Sequence, residues 1–267
     1  MRSREKLMVS AFLAAVGLIS ACQSSGSRTE KATPIPDLSG VWDLSDSPGT
    51  HHTPRTFSQE EPPMTPWAEA IYKAAKPLAG SRGSYNDSND PIVLTTTGKT
   101  EDQVACFPAG VPKIYLRHSP MQIVQTSTEI IMLFEFDHLI RQIYTDGRAH
   151  SDVLGPSWMG DAIGKWEGDT LVVDTTNFND RTWLDWLGHP HSDQLHLVER
   201  IRRVDHNTLR DDMTFDDPKA FTKPWTGMVM FELKPTWSLQ EMVCEDAYFD
   251  TPFYHRTKTE PVSKTKQ

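Results

Sequence analysis

Trp158–Thr176, WMGDAIGKWEGDTLVVDTT, carries the fold in miniature. Two runs rich in β-branched and aromatic residues, Trp158–Trp166 and Thr170–Thr176, flank the turn signal Glu167-Gly168-Asp169. The pattern recurs on both sides. Gln122–Thr126 turns at Ser127-Thr128 into Glu129–Phe136, and Leu139–Thr145 ends at Asp146-Gly147. Leu195–Val204 turns at Asp205-His206-Asn207 into Thr208–Phe215. Thr226–Leu233 and Trp237–Val243 close the series, and Leu38–Leu44 precedes it. These runs predict an all-β fold with minor α content, about nine strands joined mostly by hairpins. A long antiparallel meander relieves its unpaired edges best by closing into a barrel. A two-sheet sandwich is the competing architecture.

One helix is expected before the main strands. Thr65 is placed as N-cap and Pro66 at the first helical position, with Trp67, Ile71, Ala74 and Ala75 on one face and a stop near Pro77. Around it, from Ser47 to Ala105, Pro, Gly, Ser, Asn and Asp are dense, as in a segment that covers a site or lines one.

Leu38-Ser39-Gly40-Val41-Trp42 opens the first strand. It resembles the Gly-x-Trp signature of lipocalins and related calycins, which implies a lipocalin-like barrel with Trp42 plugging its closed end. Trp158-Met159-Gly160-Asp161, Trp166-Glu167-Gly168-Asp169-Thr170 and Pro190-His191-Ser192 together resemble a group of exported bacterial proteins without established activity. That likeness implies export and no chemistry.

The N-terminus carries an address. Arg2, Arg4 and Lys6 form a positive n-region, and Leu7–Ile19 an apolar run too short to span a bilayer. Ile19-Ser20-Ala21-Cys22 resembles the lipobox of bacterial lipoproteins. The expected organisation is a signal peptide over 1–21 and a flexible tether over 22–36, followed by a barrel domain over 37–255 and a disordered tail over 256–267. Cys22 is then the lipidated N-terminus, carrying diacylglycerol and palmitate-type chains that anchor the protein to a membrane. Gln23 after the cysteine implies outer-membrane sorting, with the domain facing the periplasm. The net charge of −9 becomes two units more negative once residues 1–21 are removed, which argues against nucleic acid and anionic membrane surfaces as partners.

Three cysteines less the lipidated one leave Cys106 and Cys244, an even pair in an oxidising compartment. A disulfide between them closes a long loop and contributes about 4 kcal/mol when unstrained. Two buried free thiols are the alternative.

Charge on faces that should be apolar points to a site. Glu199 falls among Leu195, Leu197 and Ile201; Asp174 shares a face with Val172, and Asp161 with Met159 and Ile163. Arg141, on the face with Leu139 and Ile143, is their natural partner. Such acids form an architectural ion-pair network, lie on the outer face, or hold a raised pKa for acid–base work. His150 follows a turn and sits at a strand end. His189, His191 and His196 cluster in HPHSDQLH, with His196 opposite Glu199. Pro190 breaks the geometry that would aim His189 and His191 at one metal, so no metal site is assigned. Trp183, Trp186 and Leu187 are too apolar for a free loop, and pack on a ligand or on the domain's own core. The serine-elbow, zincin, P-loop and dinucleotide motifs do not occur.

The leading reading is capture of a small apolar or amphipathic ligand in the barrel, with Trp158, Trp166, Trp183 and Trp186 as wall and Arg141, Asp161, His191 and Glu199 as polar anchors. The second is a hydrolase or isomerase working without cofactor, with His150, Asp174, His191 and Glu199 sharing proton transfer. A structural envelope protein without a pocket is the third.

Overall fold

The computed structural model describes residues 35–45, 56–74 and 108–242. The signal segment, Cys22, most of the tether, Cys106, Cys244 and the tail lie outside the described residues.

Among those described, nine strands close into a barrel in sequence order. They are β1 (Gly40–Leu44), β2 (Met121–Gln125), β3 (Glu129–Phe134), β4 (Ile140–Tyr144), β5 (Asp161–Glu167), β6 (Thr170–Thr176), β7 (His196–Asp205), β8 (Thr208–Asp216) and β9 (Trp225–Leu233). β1 pairs with β9, so the ring has no free edge.

One junction departs from the expected meander. β4 and β5 are parallel, Ile143 opposite Ala162, whereas every other pair is antiparallel. Each antiparallel step reverses strand direction, so a closed ring of nine cannot be antiparallel throughout. A parallel step needs a crossover instead of a hairpin, and residues 145–160 supply it. The expected strand at Trp237–Val243 does not form across its described part. Only an isolated bridge joins Met242 to Phe136, because β1 already holds the free side of β9.

Helix α1 (Pro66–Ala74) starts where Thr65 caps it, with the Ala68 N–H donating to Thr65 Oγ1 at 3.3 Å. Its buried face is not the expected one. Ala68 is buried and Ile71 and Tyr72 are half-buried, while Trp67 is exposed beneath the Lys219 ammonium.

Alternation decides what lies inside. β3 turns Ile130, Met132 and Phe134 inward, β6 Leu171, Val173 and Thr175, β7 Leu197, Glu199 and Ile201, and β8 Leu209, Asp211, Met213 and Phe215. Trp42 seals one region of this core, its Nε1–H donating to Leu38 O at 3.0 Å. The motif's glycine sits at φ 148°, a backbone conformation that residues with a side chain rarely adopt, and a Cβ there would crowd Leu233 Cδ1 at 2.7 Å. The inward side chains are buried and touch one another as a single cluster. A void wide enough for water leaves accessible area on its walls, and these walls have almost none. Among the described residues, the inward side chains pack against one another inside the barrel.

A strap, residues 56–65, runs from the start of the second described segment to α1 and is pinned at both ends. Phe57 O accepts from Met228 N–H at 2.9 Å, and a Cβ on Gly227 would meet Phe57 Cβ at 2.5 Å, so only glycine admits this contact. At the other end Pro63 O accepts from Thr222 N–H, and Thr65 N–H donates to Ala220 O, both at 2.8 Å.

Candidate acid–base site

The polar residues form three groups; the innermost is fully buried, and two of its atoms, Arg141 Nε and Asp211 Oδ1, have no hydrogen-bond partner among the described residues. Arg141 on β4 donates from Nη1 to Glu199 Oε1 at 2.8 Å and from Nη2 to Glu199 Oε2 at 2.5 Å. Nη2 also donates to Thr175 Oγ1 at 2.8 Å, and Nη1 to the hydroxyl of Tyr115. Tyr115 comes from a short 3-10 helix, Lys113–Leu116, and its hydroxyl reaches Glu199 Oε1 at 3.1 Å. Burial opposes the Arg141 charge, yet the Glu199 carboxylate outweighs it and holds the guanidinium protonated. Asp211, on the adjacent strand, has its pKa raised well above the usual carboxylate range, first by burial and then by the Glu199 charge. Both Glu199 and Arg141 point inward as their alternation indicated, but they bond to each other and to Tyr115 and reach no solvent.

The second group is on the outer face. Asp174, Val172 and Thr176 face outward on β6, so the expectation that Asp174 projects into the barrel is overturned. The buried face of that strand is Leu171, Val173 and Thr175. Asp161 likewise lies on the Ile163 side of β5, opposite to the inward Ala162. His150, on the β4–β5 crossover, joins these two acids. Its Nδ1 is 3.2 Å from Asp161 Oδ2 and its Nε2 3.0 Å from Asp174 Oδ1. The Ser151 N–H donates to Asp161 Oδ2 at 2.7 Å, which fixes that carboxylate behind the ring. His196, outward on β7, places Nε2 3.0 Å from the same Asp174 Oδ1. The result is a chain, Asp161–His150–Asp174–His196. Asp161 is buried, whereas the His150 side chain is 29% exposed and that of Asp174 42%. Both contacts of His150 are hydrogen bonds only when both ring nitrogens carry hydrogen. Among the described residues, no three His, Cys, Asp or Glu side chains are arranged to hold a metal ion.

The third group lies in the loop between β6 and β7. Asp185 Oδ1 accepts from the N–H groups of Leu187, Gly188 and His189 at 3.0, 3.1 and 3.3 Å. Its other oxygen is 2.6 Å from His189 Nδ1, and His189 Nε2 is 2.8 Å from Glu61 Oε2 on the strap. Tyr72 of α1 stacks on the imidazole with ring centroids 4.7 Å apart. Burial works against the cation, but the Asp185 charge and the bonds to Asp185 and Glu61 prevail, raising the pKa of His189 to about 8. His191 differs. Burial pushes its pKa down, and its nitrogens meet Thr182 Oγ1 at 2.8 Å and Ser192 O at 3.1 Å, so it is a neutral core imidazole.

Of the four residues marked for catalysis, His150 and Asp174 come together; Glu199 lies in the interior network, and His191 touches none of the other three among the described residues. The tryptophans divide similarly. Trp183 is buried in the β6–β7 loop and bridges to Pro190, and Trp186 donates from Nε1 to Leu116 O at 3.1 Å with the Lys113 ammonium over its ring, so both pack on the domain itself. Trp166 packs at the end of the core, and the backbone carbonyl of Trp158 accepts from Val111 N–H at 3.1 Å. Asp211 was missed although its alternation with Leu209, Met213 and Phe215 mirrors that of Glu199. Tyr115, Glu61 and Tyr72 carry no local signal.

A groove of about 940 Å³ opens beside the strap, over the outward side chains of β7–β9; Glu61, Arg200, Arg210, Asp212 and Lys223 line it. No protein-family model matches the chain, and no curated protein matches it.

Proposed function

We propose that the chain is a lipid-anchored envelope protein whose barrel carries an acid–base site on its outer face, acting on a small polar or amphipathic molecule. The observation that carries this reading is His150: one ring nitrogen faces a buried carboxylate, the other a half-exposed carboxylate shared with His196. Asp161 fixes the ring through Nδ1, so that Nε2 delivers or receives the proton. A substrate entering between His150 and Asp174 meets a carboxylate base and an imidazole acid side by side. That pairing suits water activation in a hydrolase or a proton shift in an isomerase, and each group contributes 10²–10⁴-fold, roughly, to such reactions. The chain's own groups supply both transfers.

The test is a screen of the mature domain, with Cys22→Ala for solubility, against ester, lactone, glycoside and α-proton-exchange substrates. Turnover is expected to fall at least about a hundredfold in His150→Gln and Asp174→Asn at unchanged circular dichroism. Absence of turnover on every class, or turnover indifferent to both variants, refutes the site.

Ligand capture keeps one specific support, the groove beside the strap. Its volume falls in the range of small-molecule sites, about 300–1,000 Å³. Mass spectrometry of molecules retained by the purified domain tests it. The anchor has its own check: the mature chain should begin at a diacylated Cys22 and partition with outer membranes, and Cys22→Ala should release it. Intact mass with and without reductant reports on Cys106 and Cys244.

A further inference from the structure

The strap is held at its two ends by backbone hydrogen bonds, but its middle is held differently. Between Phe57 and Pro63 the described tie to the β6–β7 loop is Glu61 Oε2 on His189 Nε2. Glu61 is 66% exposed and forms part of the groove wall, whereas His189 is 1% exposed. The groups facing His189 are Asp185 from its own loop, Glu61 from the strap and the ring of Tyr72 from α1. Asp185 is immobilised by three backbone N–H groups and keeps its claim on Nδ1 at any charge state of the ring. A neutral imidazole then carries its hydrogen on Nδ1 and presents a bare lone pair at Nε2, directed at the Glu61 carboxylate. The contact changes from a charge-assisted hydrogen bond to a repulsion between lone pairs.

We propose that the middle of the strap, residues 58–62, is a proton-operated latch on the groove: the imidazolium of His189 holds Glu61 and the wall closed, and loss of its proton releases them. This stands apart from the site at His150 and shares no residue with it. The direction follows from linkage. His189 titrates in the folded protein near 8, above the ordinary 6.5, so the hold is complete below pH 6.5 and vanishes as pH rises through about 8. Only the share of that displacement due to Glu61 acts on the latch, because Asp185 stays on Nδ1 in both states. The end ties do not titrate, so the strap stays attached while its middle lifts.

Cleavage after Glu60 by a glutamate-specific protease, normalised at each pH to a peptide with the same bond, reads the latch directly. Wild-type cleavage should rise severalfold between pH 6.5 and 8.5. Glu61→Gln, whose amide can donate to a neutral imidazole, should show a flat profile. Nitrogen-15 shifts of the His189 ring in the unaltered protein should follow the same midpoint and do not depend on any variant folding. A flat wild-type profile, an equal step in Glu61→Gln, or a His189 midpoint at or below 6.5 overturns the proposal.

Discussion

His150 and His189 have the same neighbours in kind and opposite surroundings. Each imidazole lies between two carboxylates, one buried and pinned by backbone N–H groups, the other on an outward element. The difference is solvent. His150 keeps 29% of its side-chain surface and looks out over β6, while His189 is covered by the Tyr72 ring and the strap. Water around His150 weakens its ion pairs and leaves its nitrogen reachable, so the triad can exchange partners with a substrate. Its exclusion around His189 makes the charge costly unless both acids stay, so the triad becomes a fastener. Two imidazoles set between carboxylates thus differ chiefly in burial, and the two roles proposed for them follow from that difference.

The comparison can be extended to a third, fully buried group. Arg141→Met leaves the Glu199 carboxylate unpaired inside the barrel, and urea denaturation should show a loss of about 3–5 kcal/mol. Next comes the clasp. His189 should contribute about 2 kcal/mol of stability below pH 6.5, lost as pH rises through about 8, and Asp185→Asn should flatten that dependence. A wild-type stability independent of pH over this interval would show that the two triads do not differ as described. Smaller still is the effect at the exposed triad: Asp174→Asn should change stability by less than about 1 kcal/mol, even while abolishing turnover. Opposite in sign is Asp211→Asn. Burial raises the Asp211 pKa, so this carboxyl opposes folding more and more as pH rises above the ordinary aspartate range, and the amide should raise neutral-pH stability. Marked destabilisation there would mean that Asp211 is ionised and the interior carries two anions.

Some of this was legible in the chain and some was not. Glu199 could be placed inside because every neighbour on its face is aliphatic and the strand is long enough for period two to be unambiguous. Asp174 was misplaced because β6 has valines on both faces, Val172 outward and Val173 inward, and alternation there has no preferred phase. The barrel followed from turns and strand lengths, but the parallel β4–β5 step did not, since a residue's pleat says nothing about which way its neighbour runs. The partner of His189 was out of reach for a different reason. Glu61 is 128 residues away, in a segment whose composition reads only as irregular coil.

The closure of β1 onto β9 has a consequence for how the molecule comes into being. The first strand to leave the ribosome is paired on one side with the last, so Gly40–Leu44 spends nearly all of synthesis with one flank unclaimed. The ring can close only once β9 has been made, so its last pairing joins the two ends of the described barrel.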